Sequence, residues 1–256
     1  MNVSVSPRSA FFFLGRLEPS ELANFNVQNV LLRDRRGGVV ELLGHGIAVW
    51  WPSQARSAFS ELLDSAMGWF TRIASSYYLL TEVALQPSLI GWVEAVDVNV
   101  REAVVGITDP RFLKVPAVAQ DDPANDLMQE AIAMARRIRD AGELERATSE
   151  ILRAGNDGSV QALLSAFRAL ECVRRIYEPA WGRRRQGWVR MQSDLGVTNP
   201  SDHDLLSEAA EAIRHGDTPP TRRTRHPVNR ALRRRVALIA YARRVVAAAV
   251  DTRLSG

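Results

Sequence analysis

DPRFLKVPAVAQDDPAND, residues 109–126, is the stretch on which the fold turns. It holds Pro110, Pro116 and Pro123, has little periodicity and is acidic at its end. Proline withholds a backbone donor and biases the residue before it toward extended conformations, so the stretch reads as a connection. Composition changes across it. Upstream, VSVSPRSAFFFLGRL (residues 3–17) has strand composition, and two β-branched runs flank Arg35-Arg36-Gly37-Gly38, a hairpin signal. A helix follows, with Ser53 as its cap and Phe59, Leu62, Leu63, Ala66, Phe70 and Ile73 at helical spacing. SLIGWVEAVDVNV (residues 88–100) returns to strand composition. Downstream the pattern is helical to the end. The expected class is α+β: a small β-rich N-terminal domain with one packed helix, followed by an all-α helical-bundle domain. The expected bounds are residues 1–115 for a mixed β/α domain, 116–126 for the linker and 127–256 for the helical domain.

Composition narrows the class of molecule. Of the 256 residues, 46% are hydrophobic and 24% charged, a globular balance. The longest apolar runs fall far short of the roughly 20 residues that a bilayer needs, so no membrane partner and a cytoplasmic location are expected. The single cysteine, Cys172, forms no intrachain disulfide, and the four histidines lack metal-ligand spacing. No Gly-rich phosphate loop or nucleophile elbow is present, and no cofactor is expected.

Charge is uneven. Residues 1–120 carry 10 basic and 11 acidic side chains, a net of −1; residues 121–256 carry 23 and 18, a net of +5. Nine arginines and no acid lie between Thr218 and Val250. A local positive field attracts polyanions, of which nucleic acid is the commonest. Arg222, Arg223, Arg225, Arg230, Arg233, Arg234 and Arg244 are the candidate nucleic-acid contacts. A solvated helix face balanced by acids elsewhere is the alternative.

The helical half shows where chemistry could sit. A last helix from Pro227 to Val250 puts Val228, Leu232, Val236, Ile239, Val246 and Val250 on one face and Arg230, Arg233, Arg234 and Arg244 opposite. Arg235 and Arg243 fall in the apolar arc, where an arginine must snorkel, find a carboxylate or line a cleft. In an earlier helix Val160, Leu163, Leu164, Phe167, Leu170, Val173 and Tyr177 form the buried face; Glu171 and Arg174 lie at or near it, three residues apart, and can pair. PSDHDLLSEAAEAIRHG (residues 200–216) is capped by Ser201 and stopped at Gly216, with Arg214 and His215 in its last turn. Those two are read either as cations against the helix dipole or as a proton donor and a phosphate holder. Tyr177, Trp181 and Trp188 lie among arginines, a pattern that suits base stacking and, equally, a core. His45 reads as a turn residue and His203 as an exposed first-turn residue.

The order of these segments, a long helix ending LLSAFRALECVRRIYE, a tryptophan loop, a helix ending AAEAIRHG, a Pro-containing stretch and a final helix, resembles the HEPN (higher eukaryotes and prokaryotes nucleotide-binding) superfamily over about residues 155–252. The resemblance implies RNA binding in a bacterial defence or stress context, metal-independent RNA cleavage and a homodimer. It places His215 at the family histidine and Glu171 at the acidic position. The family arginine, four to six residues before the histidine, has no counterpart: Glu208, Ala209 and Ala210 stand there. Arg214 is the substitute, so the candidate catalytic set is His215, Arg214 and Glu171, and ribonuclease activity is left open. RNA is the expected partner, ahead of DNA. A DNA-binding regulator using the Arg-rich C-terminal helices and a non-enzymatic interaction protein are the other classes.

Overall fold

Past residue 58 apolar side chains recur mainly at helical spacing, and helices form there. They are α1 (Phe59–Thr81), α2 (Pro123–Ile138), α3 (Glu143–Asn156), α4 (Gln161–Ile176), α5 (Arg184–Leu195), α6 (Pro200–Arg214), α7 (Pro227–Arg233) and α8 (Arg235–Leu254). The structure, a computed structural model, describes residues 10–18, 27–33, 39–44, 46–52, 59–95, 103–107, 123–139, 141–179, 183–196, 199–216 and 226–254. Among these, α2 opens on Pro123 of the quoted stretch, where proline's fixed φ suits a first helical turn.

The α+β class is overturned. Of the residues whose side chains are described, about 81% are helical, and only Phe13, Gly15 and Leu17 of β1 and residues 86–89 of β5 belong to strands. The strands are β1 (Ala10–Glu18), β2 (Val27–Arg33), β3 (Val39–Gly44), β4 (Gly46–Pro52), β5 (Gln86–Ala95) and β6 (Ala103–Ile107). Their backbones pair antiparallel in the order β2-β3-β4-β1-β5-β6. The physical reason for the correction is that β-branched and aromatic composition signals strand pairing, whereas the described core is made by helix faces. Nor is α1 simply a helix laid on strands. One compact unit contains the described residues up to Ala74 and from Leu85 to Ile132; the other contains Ser75–Ala84 and the described residues from Ala133 onward.

In the first unit Phe13, Gly15 and Leu17 alternate along β1 and are buried, the period of a strand face. Gly15 is required by α1: a Cβ there would come within 2.3 Å of the edge of the Phe70 ring. In the second unit α4 is the centre. It packs against α3, α5, α6 and α8, and residues 162–167 are all buried, as befits a helix enclosed on every side. Of the expected face, Leu163, Leu164, Phe167, Leu170, Val173 and Tyr177 are buried, while Val160, in the connection before α4, is only partly so.

Two local expectations shift. The cap of α6 is Asn199, which accepts from the Asp202 N–H at 3.3 Å, because Pro200 takes the first helical position; Ser201 instead donates to Asn199. The final helix is not continuous. Arg234, at φ −111° and ψ 13°, separates α7 from α8. That break resets the helical phase, and Val236, expected in the apolar stripe, is 78% exposed.

The arginines of the apolar arc end on backbone carbonyls. Arg243 is buried; its Nη1 donates to the carbonyls of Leu79 (3.0 Å) and Tyr78 (3.4 Å), and its Nη2 pairs with Glu82. These carbonyls belong to the last turn of α1, where intrahelical partners run out. Glu82 adopts φ 67° just past that turn, a left-handed conformation that costs a side-chain-bearing residue about 1–2 kcal/mol. Arg235 donates to the Gly158 carbonyl just past α3, and Arg253 to that of Ile176 at the end of α4 (3.4 Å). Gly155 lets α3 approach the Tyr78 ring, where a Cβ would come within 2.7 Å of its Cζ. Arg243→Met keeps the apolar stem and removes the donors. It is expected to destabilise the chain by about 2–3 kcal/mol, since buried carbonyls lose their partner, and a urea titration monitored by circular dichroism reads the loss.

Candidate functional site

α3 and α4 carry a repeated charge pattern. On α3 the order is Glu143, Arg146, Glu150, Arg153; on α4 it is Arg168, Glu171, Arg175, with Glu178 just past its end. In each helix like charges recur at a spacing of seven, which is nearly two turns, so they share a face about 10.5 Å apart. Residues 157–160 form a short connection, which turns α4 back along α3 as a helical hairpin. Arg146 therefore stands opposite Arg175, and Arg153 opposite Arg168.

The contacts follow that geometry. Glu143 Oε1 receives both Arg146 (3.4 Å) and Arg175 (3.3 Å). Arg153 pairs with Glu150 at 2.9 Å. Arg168 is exposed and has no ion pair among the described residues. The C-terminal end of α6 supplies a fifth guanidinium: Arg214 lies 5.4 Å over the Phe167 ring and 3.7 Å from Glu211. These five arginines line one open groove of about 470 Å³, together with Ser149, Glu150, Glu171 and Cys172. Lining charge is thus five positive against two negative.

The candidate catalytic residues divide. Arg214 and Glu171 both line the groove. Glu171 is 14% exposed, with Oε1 on Arg184 at 2.6 Å and Oε2 on Arg174 at 3.5 Å. Arg174, 6% exposed, holds Glu178 more closely, at 2.6 Å, which makes this buried pair part of a structural network. His215 is not among the lining residues. Its side chain is 71% exposed and its Nε2 lies 2.9 Å from Glu211 on the same helix.

Of the candidate nucleic-acid contacts, Arg222, Arg223 and Arg225 lie outside the described residues. Arg230 is tied to Glu208 and Arg234 to Asp202, each at 2.6 Å. Arg233 and Arg244 are exposed, without ion pairs among the described residues. His203 is not an exposed residue: it is 15% exposed and stands edge-to-face with Trp188 at 4.4 Å, because α5 covers that turn. Trp188 also meets Phe167 at 6.3 Å, a packing role. His226 caps α7 by accepting from the Val228 N–H at 3.3 Å. His45 and Trp181 lie outside the described residues.

Arg146, Arg153 and Arg168 escaped the reading of the sequence, and Arg175 was noticed only among the arginines around Tyr177, Trp181 and Trp188. The signal was the seven-residue spacing in two consecutive helices, overlooked because each helix taken alone is balanced by its glutamates. Among the described residues no helix is long and apolar enough to cross a membrane. Neither a protein-family model, nor a curated protein, nor a solved structure matches this chain.

Cys172 is no nucleophile here. Burial, reinforced by the Glu143 carboxylate beside it, pushes its thiol up to about 12. The thiolate is the reactive form, and at pH 8 it is present at only about one part in ten thousand for such a thiol. Alkylation of the native chain at pH 8 is expected to be at least a hundredfold slower than in urea-unfolded chain, checked by mass spectrometry of the Cys172 peptide.

Proposed function

We propose that the helical unit is a HEPN-like RNA-binding module that holds the phosphate backbone in the groove of α3, α4 and α6 and does not cleave it. The observation that carries this reading is Arg168, a guanidinium with five donors and no carboxylate among the described residues, set in a groove with four other arginines. A phosphate bound there gains charge-assisted hydrogen bonds without displacing an existing partner of Arg168. Cleavage would need a proton acceptor at the same phosphate, whereas His215 is bonded to Glu211 and absent from the lining.

A second reading has its own observation. Arg146 and Arg175 share Glu143, and Arg153 takes Glu150, so the rows also suit an ion-pair ladder that joins α3 to α4. On that reading the unit is a non-enzymatic interaction module. A DNA regulator has less support, because Arg230 and Arg234 are committed to carboxylates of α6.

Binding of a fluorescent oligoribonucleotide to the full chain across a salt series separates these readings. The affinity is expected to fall with salt, with a log–log slope of about −0.7 for each phosphate neutralised, and Arg168→Gln is expected to flatten that slope by about 0.7. The RNA is expected to be recovered intact. Cleavage products that disappear in His215→Ala would overturn the binding-only reading, and salt-independent or absent affinity would favour the interaction module.

A further inference from the structure

The inference concerns what the groove can read, and it rests on the binding function proposed above. Arginine donors can meet phosphate oxygens and also the acceptor edges of bases, which uracil and thymine share, so telling a ribo- from a deoxyribo-strand calls for an acceptor. A 2′-hydroxyl is distinguished by groups that answer its O–H, and base edges present N–H donors that need an acceptor. The groove is short of acceptors. Its five arginines only donate. Glu171 has both oxygens facing guanidinium groups, those of Arg184 and Arg174. Glu150 has Oε1 on Arg153, and its Oε2 is shielded from solvent. Ser149 donates its hydroxyl hydrogen to the Glu145 carbonyl at 3.0 Å, which leaves its oxygen as the one neutral side-chain oxygen acceptor in the lining.

Aromatic platforms are missing from the lining too, among the described residues. No aromatic side chain lines the groove; Phe167, the nearest ring, is buried and has Arg214 over it. Base–aromatic stacking is the usual sequence-tolerant grip on a single strand. What the groove does offer is guanidinium groups in two rows about 10.5 Å apart along the helices. That spread matches anionic groups repeated along a chain better than it matches one isolated phosphate.

We propose that the groove recognises a chain of phosphates and nothing else attached to it, so that ribo- and deoxyribo-single strands and inorganic polyphosphate compete for the same site. The shared chemistry is a row of anionic oxygens that only accept hydrogen bonds. The two sources, nucleic acid and polyphosphate, are separated by the arms of the test.

The full chain is titrated with oligo(U), oligo(dT) and inorganic polyphosphate matched in number of phosphates, in the same buffer. Orthophosphate serves as a competitor. The two oligonucleotides are expected to bind within about threefold of each other, since backbone oxygens and shared base edges do not tell them apart. Polyphosphate is expected to displace both, and orthophosphate to require at least about a hundredfold higher phosphate concentration. Arg168→Glu is expected to weaken all three chains together by about tenfold or more, the size of one charge-assisted hydrogen bond. Arg136→Glu, an equal charge change at an exposed position of α2 outside the groove lining, is expected to leave them unchanged, and thermal melting confirms that both variants fold. A preference above about tenfold for oligo(U) over oligo(dT), or failure of polyphosphate to displace oligo(U), overturns this inference and leaves RNA binding standing. If no chain binds with salt-dependent affinity, the binding function itself fails.

Discussion

Helix ends leave carbonyls without partners, and in the second unit α8 answers that constraint with arginines. Arg243 serves the last turn of α1, Arg253 the end of α4, and Arg235 the turn beyond α3. Each places cationic charge at the negative pole of a helix, where it is worth about 0.3–1 kcal/mol when exposed and more when buried. This explains how α8 can place an arginine such as Arg243 in a buried position. It also explains why the basic C-terminal segment overstates the free positive charge there. Arg230 and Arg234 are occupied by carboxylates of α6, and three more arginines by backbone.

Arginines without a carboxylate among the described residues include Arg233 and Arg244 in the C-terminal helices and Arg168 on the α3–α4 hairpin, where four arginines face one groove. Both helices alternate glutamate and arginine with the same period, and antiparallel packing sets like positions across from each other. Glutamates absorb part of the charge, but Glu143 serves two arginines and Glu171 turns to Arg184 and Arg174. Arg168 is left without a carboxylate among the described residues, while Arg214 of α6, which lines the same groove, keeps Glu211 at 3.7 Å. Cys172 lies in the same groove and remains a neutral thiol.

How much of this was legible depends on the kind of signal. The apolar face of α4 was, because a buried helix writes its contacts as a periodic pattern. So was the end of α6, where Gly216 takes φ 68°. The α+β class was not: strand-like composition in residues 3–52 says that strands can pair, and says nothing of which elements build the core. Val236 was misplaced because a one-residue break at Arg234 changes helical phase without any proline or glycine to announce it. In the candidate site, Glu171 and Arg214 could be named from the sequence, but the four arginines of the hairpin could not be singled out while each helix was weighed separately. His203 was misjudged because its burial comes from α5, a tertiary fact.

The enclosure of α4 has a consequence for motion. Its backbone amides lie beneath α3, α5, α6 and α8, so their exchange with solvent hydrogen requires opening of the whole unit. α5 buries only Gly187 and Met191 and can detach at far smaller free energy. The groove thus has a wall of slow exchange in α4, with Arg168 fixed upon it. Its Glu171 is held from outside the lining by Arg184 of the thinly buried α5.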